Sequence, residues 1–329
     1  MGDSKGGGGV IKKRYLFALI LPLVVGGVSL FVGSVKVSPF HLTGEGLYIL
    51  KTFRFPRVVF ALINGALLGV SGCVYQLILR NPLADGFTTG AAGSSAVGAV
   101  VAISLGLPIG YVPVLALVSG LLGLFLVYRI SSRGGLINPV TMILAGVVVN
   151  IISSSVIGFL KYAFEESVTA VVFWLMGGFY AVSYSKIAFA FLVFVAGFLF
   201  LISRGSTLDV LSFDDLSAKS MGVDVDRMRL VLFVVSTLFV AVSVSFCGII
   251  GFVGLIVPHI VRAIFGAGMR DNLLFSASFG ASLLCLSDAL SRSVIPSGGE
   301  LPVGIVTSIF GGGFFLYLLI RRQRELWHV

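Results

Sequence analysis

The sequence predicts an all-α polytopic membrane protein of about ten transmembrane helices with both termini cytoplasmic, and three observations carry that prediction. First, 57% of the 329 residues are hydrophobic and only 11% are charged, at a mean hydropathy of +1.08, whereas charged residues make up about a quarter of an ordinary globular chain. Second, the charges are gathered between long apolar runs. Third, the cations are divided unequally among the segments between those runs.

Taken in order, residues 1–14, MGDSKGGGGVIKKR, read as a flexible basic leader before a first span at 15–35. That run is about 20 residues long and lacks a small-x-small cleavage site, so a retained helix is predicted rather than a removed signal peptide. Residues 15–329 are then predicted to form one transmembrane domain. Further spans are predicted at 58–79, 88–106, 109–128, 139–160, 187–203, 230–249, 251–265, 272–291 and 303–320. Each approaches the ~20 residues that cross a ~30 Å hydrocarbon core. Between Thr88 and Tyr128 no Lys, Arg, Asp or Glu occurs, a run too long for one crossing, so a turn is predicted at Gly106–Gly110 around Pro108. From Gly248 to Pro258, glycines and a proline either break one helix or separate two.

With a cytoplasmic N-terminus, the inward segments hold sixteen of the 23 Lys and Arg residues and the outward segments seven: Lys36, Lys51, Arg54, Arg57, Lys161, Lys186 and Arg292. This is the positive-inside bias. The net charge of +9 therefore reports orientation in a lipid bilayer, and nucleic acid is not an expected partner. Many of the 42 glycines lie within spans, and Gly65-x-x-x-Gly69-x-x-Gly72 and Gly248-x-x-Gly251-x-x-Gly254 have the spacing that lets helix backbones approach closely. Cys73, Cys247 and Cys285 have no metal-ligand spacing and read as small buried apolar residues, so neither a metal nor a cofactor is expected.

One charged island stands out, Arg204 to Arg229, with four cations and five carboxylates. It cannot sit in lipid and is predicted to form a cytoplasmic loop. Within it, Ser212-Phe-Asp-Asp215 has the form of a helix start and Gly222 that of a stop, which predicts a short helix over 213–221 with Phe213, Leu216 and Ser220 on one side. Asp224 or Asp226 would start the next span. The loop reads either as a docking element for a soluble partner or as a solvated linker with local caps, and spacing alone does not choose.

The missing chemistry is equally informative. No Lys follows a Gly, so a Walker-type phosphate loop is excluded. The central parts of the spans lack Asp, Glu, Lys and Arg, which argues against an ion-gradient-driven carrier or channel, the alternative function for such a chain. Asp288 lies toward a helix end, four residues before Arg292, as expected for an i,i+4 pair. With no HExxH, GxSxG or paired intramembrane Asp, and with His41, His259 and His328 scattered, the chain is not expected to be an enzyme. If the chain transports a solute, the energy would have to enter from outside it.

Three segments together resemble one family. They are Arg54-Phe-Pro-Arg57, leading through a Gly-rich span to Gln76-Leu-Ile-Leu-Arg-Asn-Pro-Leu-Ala-Asp85 and Thr89-Gly-Ala-Ala-Gly-Ser-Ser95; Gly251-Phe-Val-Gly-Leu-Ile-Val-Pro-His-Ile-Val-Arg262; and Glu300-Leu-Pro-Val-Gly304. Over residues 45–325 the chain is similar to the FecCD-type permeases, membrane subunits of ABC importers for cobalamin, haem and ferric siderophores. The resemblance implies a multi-pass subunit of the cell (inner) membrane that pairs as a homodimer, with two cytoplasmic ATPase subunits and an extracytoplasmic substrate-binding protein. It implies ATPase coupling at Ser212, Phe213, Asp214, Asp215, Leu216, Lys219, Met221 and Gly222. It places binding-protein docking at Arg54, Arg57 and Arg292, for which interfacial snorkelling is the alternative. It also suggests a translocation path along Gln76, Asn81, Thr88, Thr89, Ser94 and Ser95, for which hydrogen bonds to nearby carbonyls are the alternative.

Overall fold

In lipid every backbone amide must be satisfied within its own segment, which leaves helices as the building material here. The computed structural model describes residues 6–35, 37–38, 43–133, 136–266, 268–295 and 299–326. Among them the helices are α1 (Gly6–Phe31), α2 (Gly44–Ile49), α3 (Phe55–Ile78), α4 (Ala91–Ser104), α5 (Tyr111–Ser131), α6 (Pro139–Ala163), α7 (Val168–Leu175), α8 (Tyr184–Ser203), α9 (Gly205–Leu211), α10 (Asp215–Ser220), α11 (Val225–Cys247), α12 (Val253–Phe265), α13 (Met269–Ser291) and α14 (Val303–Leu326). The strands described are a small antiparallel hairpin, β1 (Ser132–Arg133) and β2 (Leu136–Ile137).

Seven of the described helices are long and apolar enough to cross a membrane, and Ala91–Ser104, Val253–Phe265 and Val303–Tyr317 are shorter apolar helices. Helical backbone begins at Gly6, within the stretch whose composition suggests a leader, while residues 1–5 lie outside the described residues, as does Lys36. The second span differs most from its expected 58–79. It runs from Gly44 to Ile78 because a π-helical turn at Leu50–Arg54 joins α2 to α3 without interrupting the axis. A boundary drawn at the last charge cut this helix short, since Arg54 and Arg57 find partners inside the protein. The chain turns as expected after α4, where Gly106 takes φ +63. Between α11 and α12 the break is complete: Gly248 and Phe252 both have positive φ (+68 and +67), so the glycines separate two helices.

Burial sorts the helices into layers. The best apolar window of Gly44–Ile78 is 83% buried, whereas that of α8 is 11% buried and leaves its apolar side chains for lipid or another chain. At the centre, α3 lies against α13 and α12 at backbone distance. A Cβ built on Gly65 would meet the Gly280 carbonyl oxygen at 2.2 Å, and one on Gly69 the Ser276 oxygen at 2.4 Å. On Gly72 it would lie 1.8 Å from the Gly254 oxygen. The first glycine motif is thus a packing stripe, as its spacing predicts. The second is not a stripe: Gly254 alone of its three faces α3, Gly248 turns the chain, and Gly251 meets only ordinary van der Waals neighbours. Cys73, Cys247 and Cys285 are all buried, as expected.

Because the Gly254 carbonyl is backbone and cannot swing aside, Gly72→Ala is expected to destabilise the protein by about 1–3 kcal/mol through overpacking. Gly27→Ala, on an exposed face of α1 with nothing within 4 Å, is the control expected to leave thermal unfolding in detergent unchanged.

Candidate functional site

Polar side chains gather at opposite ends of α3. At the end bearing the Arg204–Arg229 island, the loop is folded rather than a solvated linker. α9 continues from α8, and Ser212 ends it, donating its hydroxyl to the Asp209 carbonyl at 2.6 Å. Ser212 therefore does not start the next helix, contrary to the Ser-x-x-Asp expectation. Asp214 takes that place because it already has the extended backbone of a cap, and its carboxylate accepts from the Ser217 amide at 2.8 Å and the Ser217 hydroxyl at 2.6 Å. The bonds from Ser217 hold the Asp214 carboxyl below the usual carboxylate range. Gly222, at φ +82, closes α10 as predicted, with the Val223 amide reaching back to the Ala218 carbonyl at 3.0 Å. Asp224 caps α11 through the Arg227 amide at 3.1 Å.

The remaining carboxylates tie this loop to its surroundings. Asp209 accepts from the Met269 amide at the start of α13 (2.6 Å), and Asp226 from the Ile137 amide of the hairpin (2.9 Å). Asp215 pairs with Arg80 at 2.8 Å and with Arg229 at 3.0 Å. Lys219 lies 3.4 Å from Asp226. Beside exposed polar side chains such as Lys219, α10 and its flanks present three large apolar ones: Phe213, Leu216 and Met221 are 72%, 82% and 65% exposed. Sequence reasoning placed Arg80 in the family segment and Arg229 at the end of the island but gave neither a partner.

At the far end of α3, the π-helical turn aims Arg54 inward, where it donates to the carbonyls of Leu30 (2.9 Å) and Val35. Arg292 donates to Val32 (2.7 Å) and Ser29 (3.2 Å) and pairs with Asp288 at 3.0 Å, the predicted i,i+4 contact. These acceptors lie at and just beyond the end of α1, where terminal carbonyls lack helical partners and the dipole favours a cation. Arg57 bridges the wholly buried Asp288 (2.9 Å) and Glu300 (2.7 Å). A cavity of about 720 Å³ opens here, lined by Arg54, Arg57, Arg292 and Glu300 with Phe53 and Tyr180. Of the three arginines suggested for docking, Arg54 and Arg292 are thus buried and occupied within the chain, and Arg57 with Glu300 keeps more contact with water. Span boundaries cannot reveal that the carbonyls of α1 approach α3 and α13.

The residues suggested for a path divide in the same way. Gln76 is buried, donating to the Gly254 and Leu255 carbonyls (3.3 and 3.2 Å) and accepting from Arg262. Thr89 and Ser94 bond the carbonyls of Asp85 (3.0 Å) and Gly90 (2.7 Å), and Ser95 is wholly buried. These four are buried within the described residues and hydrogen-bonded or packed against the chain's own helices. Asn81 caps its turn through the Leu83 amide at 2.9 Å. Thr88 does open onto a groove of about 560 Å³, shared with Phe87, Asn150, Ser154 and Ser155. The α6 residues were missed, though Asn150 and Ser153–Ser155 form the polar interruption of an otherwise apolar span.

Comparison with known proteins places this arrangement. Residues 18–321 match the model of the FecCD transport family. The cobalamin import system permease protein BtuC of Halobacterium salinarum is 36% identical over 311 residues, covering 93% of this chain and 83% of that protein. The hemin transport system permease protein HmuU of Yersinia pestis is 31% identical over 339 residues, covering 96% and 98%. A solved metal-chelate type ABC transporter in an inward-facing conformation superposes with a TM-score of 0.88 at 30% identity, covering 94% of this chain and 99% of that one.

Removing the buried anion that holds two arginines leaves their charges uncompensated, so Asp288→Ala is expected to cost about 3–5 kcal/mol. Glu300→Gln breaks a more exposed pair and is expected to cost about 0–1 kcal/mol. Thermal unfolding of the purified membrane protein in detergent checks both.

Proposed function

The chain belongs to the FecCD transport family, and from that premise we propose how it works as the permease subunit of an ABC importer for metal chelates. It is a transport subunit, and ATP is hydrolysed in a separate subunit. The cargo is a bulky chelate of the cobalamin, haem or ferric-siderophore kind, in keeping with what the relatives are named for. On this reading the seven long and three shorter apolar helices among the described residues make ten crossings, and the cation bias supports a cell-membrane protein with both termini in the cytoplasm.

The observation that carries this reading is the two-sided character of α10. Its carboxylate face is bonded to the spans, while Phe213, Leu216 and Met221 stand in water. Exposed apolar side chains on a short, polar-tethered helix suit a cytoplasmic ATPase that covers them. Two ATPase subunits serve a homodimer of this chain. The dimer reading is supported by the groove at Thr88, Asn150, Ser154 and Ser155, since polar groups of a membrane span are costly against lipid and suit a water-filled path shared with a second copy. An extracytoplasmic binding protein delivers cargo at the cavity beside Arg57 and Glu300, whose floor Arg54 and Arg292 hold in shape. Nucleotide-driven movement of α10 then switches the spans between outward and inward access.

The test is the double variant Phe213→Glu, Leu216→Glu in the assembled transporter. Insertion and thermal unfolding should match the wild type, because both side chains are exposed. Co-purification of the ATPase should weaken by about tenfold or more, as for loss of an interface anchor. Full retention of the ATPase and of ATP-driven uptake would refute the reading.

A further inference from the structure

We propose that Arg229 is the positioning residue through which movement of α10 reaches the membrane spans, an inference that rests on the coupling role just assigned to α10. A six-residue helix has no stability of its own, and Ala218 is its single buried residue, so apolar burial does not locate it. Polar contacts do. Asp215 takes the Arg229 Nη2 group on both oxygens, at 3.0 and 3.1 Å, with the arginine side chain only 5% exposed. Arg80 reaches the same carboxylate, but at 39% exposure water competes for it.

The rest of the Arg229 guanidinium is committed elsewhere. Its Nε donates to the Ile78 carbonyl in the last turn of α3 at 3.1 Å, and its Nη1 donates to the Ile137 carbonyl at 3.0 Å. Asp226, three residues earlier on α11, accepts the Ile137 amide at 2.9 Å, so the backbone of Ile137 is held on both sides from one helix. Ile137 immediately precedes Asn138, whose side chain caps α6. One planar group therefore joins α10, α11, the end of α3 and the lead-in to α6. A cavity of about 650 Å³ beside it, lined by Asp215, Lys219, Asp226, Arg229, Ser131 and Thr141, gives α10 room to shift. Because the donor fork is rigid, a displaced Asp215 either loses a charge-assisted bond or pulls the Ile78 and Ile137 carbonyls with it.

The test uses the full chain with its ATPase and binding-protein partners in proteoliposomes, supplied in turn with cyanocobalamin, haemin and a ferric hydroxamate. The measured quantity is compound accumulated per ATP hydrolysed. In Arg229→Gln and Asp215→Ala this ratio is expected to fall on the order of tenfold, the scale of a typical coupling between sites. Arg229→Lys should not restore it, since an ammonium cannot serve three acceptors in one plane. If Arg229→Gln does not fold, Asp215→Ala decides, because it leaves both carbonyl bonds of Arg229 in place. A structural role alone would lower the unfolding temperature and leave the ratio intact, and an unchanged ratio in Asp215→Ala overturns the proposal. Wild-type protein that shows no ATP-driven accumulation of any of the three compounds overturns the importer reading, and this inference with it.

Discussion

The backbone contact of α3 with α13 and α12 is the constraint on which the rest of the molecule depends. Between lipid-immersed helices there is little hydrophobic driving force, and close packing supplies what water would otherwise supply. Gly65, Gly69 and Gly72 remove the side chains that would hold the axes apart, so that the carbonyls of Gly280, Ser276 and Gly254 fill the space. A helix held this closely along one face behaves as a rod. Its two ends carry the two polar clusters, so that Arg54 and Arg57 at one end and Gln76 and the Ile78 carbonyl at the other share one stiff element.

The clusters are built from complementary needs. Helix ends leave carbonyls and amides without partners, and a membrane protein cannot leave them dry. At one end arginines serve the carbonyls that close α1, and a buried Asp288 balances two of the charges. At the other, carboxylates serve the amides that open α10, α11 and α13, while Arg229 serves the carbonyl that closes α3. The charged island thus satisfies helix ends that come from distant parts of the chain. Phe213, Leu216 and Met221 are left exposed, and these are the side chains that the proposed ATPase contact would cover.

Local signals in the chain were faithful where the physics was local. Gly222 as a stop, Asp224 as a cap and the turn at Gly106 each depend on backbone conformation within a few residues. The expectations that failed were those whose outcome depends on a distant neighbour. Ser212 and Asp214 are both competent caps, and the continuation of α8 into α9 decided between them by giving Ser212 a helix to end. Gln76 and Ser95 are polar residues in spans, and only the approach of α12, α5 and other helices shows how closely they are packed.

Composition, charge placement and glycine spacing by themselves determined that this chain is a helical membrane protein, that its charges concentrate in an island at residues 204–229, and that no Gly-Lys phosphate-binding loop lies within it. These follow from the cost of charge and unpaired backbone in hydrocarbon, which each segment meets on its own account. The tertiary structure decided which cations are free and which are committed. Arg54, Arg229 and Arg292 look alike in sequence to any loop arginine, yet each is buried against carbonyls contributed by helices remote in the chain. Hydrogen-bond partners are set by the distance between helices, and that distance is a property of the packed bundle.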